Sequence, residues 1–250
     1  MNVVVVPDYE QMSLNAAAVV AEAVKSAPRI VLGLPTGNTP KGMYRELVRL
    51  HRAGELDCAG VVTFNLDEYW GLGPDHPMSF AHFMRTHFLA HVNIAPGNSH
   101  WPDAGASGTD PDAACRAYEE QIRAAGGLDL VVLGIGVNGH IGFNEPGTPF
   151  DSRTHVVPLT EETRLANYRG YGFRTLEDVP RFGITMGLGT IMGARRVLLL
   201  ASGQEKAPAL ARAVNGPVTE EVPASVLQRH PDVTLIVDEA AAFALAPPRA

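Results

Sequence analysis

Cysteine is nearly missing from the chain: Cys58 and Cys115 are its 2 cysteines in 250 residues, and they show no C-x-x-C spacing. That excludes a disulfide framework and a cysteine-rich zinc site, and the two thiols read as small packed hydrophobes. A basic excess is missing too. With 20 Lys+Arg against 27 Asp+Glu the net charge is −7, so there is no broad cationic face to displace the counterions of a nucleic acid, and no nucleic-acid partner is expected. An anionic small molecule would need a local basic pocket. No window reaches the roughly 18 apolar residues of a membrane span. The N-terminal MNVVVVPDYE has no basic lead and too short an apolar run for a signal peptide. A soluble, cytoplasmic chain with no membrane partner is expected. The loop GLPTGNTPKG is neither a Walker A motif nor G-x-G-x-x-G, so it does not indicate a nucleotide, and the chain has no G-x-S-x-G elbow for a serine nucleophile.

What is present is ordinary for a globular domain: 46% apolar and 19% charged residues. The length suits one sizeable α/β domain over 1–250. Strand candidates are short and apolar on both faces: 3–6, 30–34, 61–66, 128–135, 196–201 and 234–237. Such strands belong to parallel sheets covered on both sides. Helical spacing fills 13–27, with Ser13 as N-cap, and then 40–54, 79–92, 110–126 and 204–214. The alternation predicts a doubly wound, mostly parallel sheet with helices on both faces and right-handed crossovers. Residues 142–185, rich in Gly, Pro and Arg, lack a clean period. They form either a helical lid, at about 150–185, or an extended surface connection. The helix 79–92 and loop 93–110 leave open both a homo-oligomer interface and a packed monomer surface.

In open parallel sheets ligands bind beyond the carboxyl ends of the strands, and three of those ends carry polar loops. GLPTGNTPKG follows strand 30–34. Thr36, Gly37, Asn38 and Thr39 before Pro40 can form an anion cradle at a helix start. Taken alone they read more simply as a helix capped by Thr39. VVTFNLDEYW places Asp67 and Glu68 where a buried strand emerges. Neighbouring strand side chains face opposite ways, so one of the two can face a ligand easily. Solvated turn residues, with Tyr69 and Trp70 filling core, are the competing account, and the apolar strand before them tips the balance towards a site. LDLVVLGIGVNGHIGFNEPG brings Asn138, His140 and Glu145 together among glycines that permit unusual backbone angles. A carboxylate near an imidazole raises its basicity and fixes its tautomer, as a proton shuttle requires. A metal site is disfavoured because no second histidine sits at ligand spacing. The three loops together suggest proton-transfer chemistry on a small phosphorylated metabolite.

At these residues the chain resembles the glucosamine-6-phosphate deaminase family. The resemblance runs through GLPTGNTPKGMY (33–44), VVTFNLDEYWGL (61–72), HPMSFAHFM (76–84), LGIGVNGHIGFNEPG (133–147) and TRLANYR (163–169), and on through ITMGLGTIM, SGQEKA and PASVLQRHP. It implies a modified Rossmann-like fold and a reaction without metal or cofactor. In that reaction glucosamine 6-phosphate and water give fructose 6-phosphate and ammonia. By resemblance His140 opens the pyranose ring, Asn138 and Glu145 orient and tune it, and Asp67 takes the C2 proton and returns it at C1. Glu68 supports the site. Thr36, Gly37, Asn38, Thr39, Arg169 and Lys206 would hold the phosphate, Arg as a fork and Lys as a point charge.

There are departures from the pattern. Some members carry Asp at Asn138, and the aromatic pair expected after Arg169 is Gly170 and Tyr171 here. Longer, allosterically regulated members place basic and hydroxyl residues where this chain has Thr148, His155, Val157 and Pro158, and the C-terminus stops at PPRA. Weak or absent activation by N-acetylglucosamine 6-phosphate is therefore expected. The rivals are 6-phosphogluconolactonase, which needs no C2 base, a related isomerase transferring an amino group, and a non-catalytic sugar-phosphate sensor, which could dispense with the acid/base set.

Overall fold

The computed structural model describes residues 1–245, with the backbone but not the side chains of Gly170 and Tyr171. The expectations about those two side chains and about the terminal PPRA lie outside the described residues. Seven parallel strands form the main sheet: β1 (Asn2–Val6), β2 (Ile30–Leu34), β3 (Val61–Asn65), β5 (Ser99–His100), β6 (Leu130–Gly134), β9 (Arg196–Ala201) and β10 (Val233–Asp238), in the order β1-β10-β9-β6-β2-β3-β5. The chain winds outward from β2 through β3 to β5, and in the opposite direction from β6 through β9 to β10. The crevice between β2 and β6 is thus the point where the winding reverses, and there the carboxyl ends open a cleft.

Why the strands are apolar throughout is clear from their alternation. Val31, Val62, Phe64, Val131, Leu133, Val197, Leu199 and Leu235 face one core. Ile30, Leu32, Leu34, Val61, Leu130, Val132, Leu198, Leu200 and Ile236 face the other. The first core is closed by α4 (Pro111–Ala124), α6 (Leu188–Ile191), α7 (Ala207–Asn215) and α8 (Glu239–Ala242). The second is closed by α1 (Tyr9–Lys25), α2 (Lys41–Arg52) and α3 (Phe80–His87). Each fully buried Leu or Ile contributes about 1.5–3 kcal/mol relative to exposure, so both faces are strongly specified.

Several expectations are corrected in detail. Asp8, not Ser13, caps α1: its carboxylate accepts from the Gln11 N–H at 2.8 Å. Ser13 is buried inside the helix, and its hydroxyl donates to the Tyr9 carbonyl at 2.8 Å. Thr39 does not cap α2 either; Pro40 takes that place without a side-chain bond. Residues 142–185 are not an extended connection. They contain β7 (His155–Pro158), α5 (Glu161–Tyr171) and β8 (Phe182–Thr185), and β7 and β8 join β4 (Asp67–Tyr69) in a second, antiparallel sheet of order β4-β8-β7. Tyr69, Phe80, Phe143, Leu159, Phe173 and Val179 give this flap its own small core. The flap carries α5 across the cleft.

Candidate active site

Beyond β6 the chain makes a tight turn: the Gly136 N–H donates to the His140 carbonyl at 2.9 Å, and the Gly139 N–H donates to the Gly136 carbonyl at 3.0 Å. The imidazole of His140 lies flat against Gly136. A Cβ at Gly136 would fall 2.3 Å from His140 Cε1, so only glycine lets the ring sit there. The Asn138 carboxamide bridges the loop. Its Oδ1 accepts from the His140 N–H at 3.1 Å, and its Nδ2–H donates to Glu145 Oε2 at 2.8 Å. His140 Nδ1 faces the same Oε2 at 3.6 Å. That is an ion contact when the ring is charged and too long for a hydrogen bond, and Nδ1 has no other partner.

Glu145 sits behind His140, buried. Burial alone would raise its carboxyl, but His140, the Thr163 hydroxyl and the Asn138 amide outweigh this and hold it at about 2. Glu145 is therefore an anion across the whole working range. With it in place, His140 has a fixed anionic neighbour on one side and the cleft on the other.

Opposite the loop, β3 ends at Asn65, whose carbonyl accepts from the buried Tyr118 hydroxyl at 2.7 Å. The chain then leaves the main sheet and pairs as β4 with β8, Asp67 opposite Thr185. Asp67 and Glu68 are both buried, so they are not solvated turn residues. Their side chains part as neighbouring strand residues must. Asp67 lines the cleft. Glu68 turns away and accepts the N–H groups of Phe80 and Ala81 at 2.9 Å and of Tyr69 at 2.8 Å, holding the first turn of α3. Burial pushes the Asp67 carboxyl up to about 8, helped by the Glu68 charge. Burial also lifts Glu68 to about 7, against its backbone donors and Arg85. Among the described residues, no group donates a hydrogen bond to Asp67.

The third wall is the loop after β2. Thr36, Gly37, Asn38 and Thr39 line the cleft, with Gly37 at φ +101°. The Tyr9 hydroxyl donates to the Asn38 carbonyl at 3.0 Å and accepts from the Gly42 N–H at 2.9 Å, while Lys41 Nζ donates to Asn38 Oδ1 at 2.9 Å. The loop is thus pinned to α1 and α2. Lys206, at the start of α7, reaches the same wall. Burial lowers its pKa, Glu205 partly offsets this, and no acceptor engages its ammonium among the described residues. The half-buried Lys206 ammonium therefore stands beside Thr36, Gly37, Asn38 and Thr39 in one wall of the cleft.

Of the residues singled out in the sequence, the structure gathers Asp67, Asn138, His140, the 36–39 loop and Lys206 around one cleft of about 200 Å³, with Glu145 behind His140 and Asn138. Arg169 stands apart, exposed in the last turn of α5 and outside the cleft lining. Other contributors carried no signal of their own. Thr160 and Thr163 donate to Glu145, and Arg212 donates to the Asn138 carbonyl at 2.7 Å. Asn167 lines the cleft from α5 with its Nδ2 buried and unpartnered. Thr163 and Asn167 lie inside the TRLANYR segment, which marked the stretch without assigning either a role.

The match to known proteins covers this arrangement in full. Residues 7–236 match the family model described as glucosamine-6-phosphate isomerases/6-phosphogluconolactonase. The chain belongs to that family. Within it, the chain is 52% identical to a glucosamine-6-phosphate deaminase of Thermoanaerobacter pseudethanolicus, over 97% of this chain and 94% of the relative. It is 48% identical to glucosamine-6-phosphate deaminase 2 of Bacillus subtilis, over 97% and 96%. A solved structure of a monomeric glucosamine-6-phosphate deaminase superposes with a TM-score of 0.94 at 45% identity, covering 98% of this chain and 100% of that one. The family's other branch is farther away. The 6-phosphogluconolactonase of Trypanosoma brucei shares the fold at a TM-score of 0.73 and 22% identity, over 98% of both chains.

Proposed function

We propose that this protein converts glucosamine 6-phosphate and water to fructose 6-phosphate and ammonia. One observation carries the proposal: Asp67, buried and with no donor among the described residues, lines the same cleft as Asn138 and His140, which Glu145 backs, and the other wall is Lys206 and the 36–39 loop. The phosphate sits against that loop and Lys206. His140, backed by the Glu145 anion, delivers a proton to the ring oxygen as the C1–O5 bond opens, and the O1 hydroxyl gives up its proton to water as C1 becomes the aldehyde carbonyl. Asp67 then removes the C2 proton; the C–H bonding pair becomes the C1–C2 double bond as the C1=O π pair moves to O1, which takes up a proton, giving an enolamine. Return of the proton at C1 leaves an iminium at C2. Water adds there, and ammonia leaves as the ketone forms.

The raised pKa of Asp67 fits this work. A C–H proton is weakly acidic, and a base tuned to about 8 is far stronger than an ordinary carboxylate. The orphan Asn167 amide supplies a donor for a sugar hydroxyl from above. Arg169 joins the phosphate if α5 moves inward over the bound sugar. The residues invoked need neither metal nor cofactor. We place the activity in the breakdown of N-acetylglucosamine-derived amino sugars in the cytoplasm. No helix among the described residues is long and apolar enough to cross a membrane.

Ammonia release from glucosamine 6-phosphate, measured with EDTA throughout, tests the proposal. The parent is expected to turn over, and Asp67→Asn and His140→Gln to be crippled though folded. A folded parent that releases no ammonia but hydrolyses 6-phosphogluconolactone would overturn it.

A further inference from the structure

The flap helix α5 does more than roof the cleft. Its N-cap, Thr160, and its first-turn residue Thr163 both address Glu145. The buried Thr163 hydroxyl donates to Glu145 Oε1. The Thr160 hydroxyl stands 3.2 Å from that same oxygen and 3.0 Å from Thr163 Oγ1. A hydroxyl has one proton to give. The Thr163 proton is committed to Glu145, so Thr160 shares its own between the carboxylate and the Thr163 oxygen. The other carboxylate oxygen, Oε2, belongs to the β6 loop, where it receives the Asn138 amide and faces His140.

The two oxygens of one carboxylate therefore join two different parts of the fold. The main chain of Glu145 is fixed separately, because the Thr148 hydroxyl donates to its carbonyl at 2.6 Å. What remains to be set is the direction of the side chain, which Asn138 holds at Oε2 and α5 holds at Oε1. The capping of α5 needs the Thr160 oxygen, which accepts from the Thr163 N–H at 3.2 Å. It does not need the Thr163 hydroxyl at all. A buried threonine could have been valine here, and the hydroxyl is spent on Glu145.

We propose that Thr163, with Thr160 behind it, is a positioning residue for the acid/base relay: a seated α5 turns Glu145 Oε2 towards His140, and an unseated α5 lets it go. The flap thereby couples closure of the cleft to readiness of the histidine. The effect on rate rests on the deaminase reading; the tether to Glu145 does not.

Three forms of the enzyme decide it: the parent, Thr163→Val, which keeps shape and deletes the hydroxyl, and Thr163→Ser, which keeps the hydroxyl and deletes the methyl. Losing a hydrogen bond to a charged group predicts that kcat for ammonia release falls about ten- to a hundredfold in the valine form. KM should change less than kcat, because Thr163 also lines the cleft but its hydroxyl proton is committed to Glu145 and valine keeps its shape. Serine should restore kcat. Alongside, enzyme labelled with ¹³C at the glutamate side-chain carboxyl, with the Glu145 signal identified through Glu145→Gln, is titrated from neutral pH downward. The Glu145 carbon should begin to protonate at higher pH in the valine form than in the parent and serine forms. Should valine prevent folding, Thr163→Ala takes its place in the same comparison. A valine form with the parent's kcat and carboxyl titration, or one that serine fails to rescue, overturns the proposal. If the parent releases no ammonia, the deaminase reading falls and the carboxyl titration alone decides the tether.

Discussion

Asp67 and Glu145 are both carboxylates, both buried, and both placed around one cleft, yet they lie on opposite sides of neutrality: about 8 for Asp67 and about 2 for Glu145. Burial acts on each in the same direction. The difference lies in the donors. Glu145 accepts from Asn138, Thr163 and Thr160 and has an imidazole 3.6 Å away. Asp67 accepts from none of the described residues and has the Glu68 carboxylate next to it in sequence, itself satisfied by three backbone N–H groups. Desolvation without donors makes a base, and desolvation with donors makes a permanent anion. The cleft obtains two functions from one functional group by distributing hydrogen bonds.

The sharpest way to break this contrast is to neutralise the base. Asp67→Asn should lower kcat by about 10²–10⁴-fold. It should also stabilise the fold, with a pH signature. A carboxyl whose folded pKa is raised from about 4 to about 8 disfavours folding wherever the unfolded state would ionise it. The penalty is absent below about pH 4, grows as pH rises and levels off above about 8. Thermal unfolding should therefore favour Asp67→Asn at pH 8.5 and show no gain at pH 3.5. A variant no more stable than the parent at alkaline pH would mean that Asp67 is not strained by burial. Glu145 has the reverse sign: its lowered pKa contributes stability above about pH 4 that is lost as pH falls towards 2.

Next in size is the cation at the far wall. Lys206→Ala should raise KM about ten- to a hundredfold with a smaller change in kcat, since a charged hydrogen bond to phosphate holds substrate and transition state alike. Arg169→Ala should raise KM less, because Arg169 lies outside the cleft lining here. The reverse ranking in steady-state kinetics would shift the phosphate site towards the end of α5.

How much of this the sequence disclosed depends on the range of the forces involved. The six long strands were legible because a parallel strand covered on both faces must be apolar at every position. The two-residue β5 and the three- and four-residue strands of the small sheet were not, since so few residues carry no period and their partners are distant in sequence. Ser13 and Asp8 are equally good caps by residue type. What separates them is that β1 ends at Val6, which puts the helix start at Tyr9. At the site, Asp67 could be picked out as a carboxylate at the end of an apolar strand, and Asn138, His140 and Glu145 as polar residues in a glycine-rich loop after another. Thr160, Thr163, Asn167 and Arg212 could not, because their significance lies in contacts reached only when α5 and α7 fold back onto the β6 loop.

A finer probe of the contrast is Glu68→Gln. It removes the like charge beside Asp67 and leaves the base itself intact. The Asp67 pKa should fall, and the acidic limb of kcat/KM, which reports the free enzyme, should move to lower pH. The Tyr69 and Phe80 N–H groups, both on Oε1, can keep an acceptor in the amide oxygen, but the Ala81 N–H on Oε2 meets an amide NH2 that cannot accept, so α3 should loosen and the melting temperature drop by a few degrees. An unmoved limb would show that burial alone sets the base.

The smallest effect expected is none. Glu145 is already held in its depressed state by contacts within this one chain, so a second ligand has little left to organise. The positions that would greet a sugar-phosphate effector are also poorly suited to one. Thr148 is buried with its hydroxyl committed to the Glu145 carbonyl, His155 Nδ1 lies 2.8 Å from the Arg153 carbonyl, and Val157 packs into the flap core. Rate curves for glucosamine 6-phosphate should be hyperbolic and unchanged by N-acetylglucosamine 6-phosphate. A sigmoidal curve that this compound straightens would mean that the Glu145 contacts are made only part of the time, and that the effector acts by completing them.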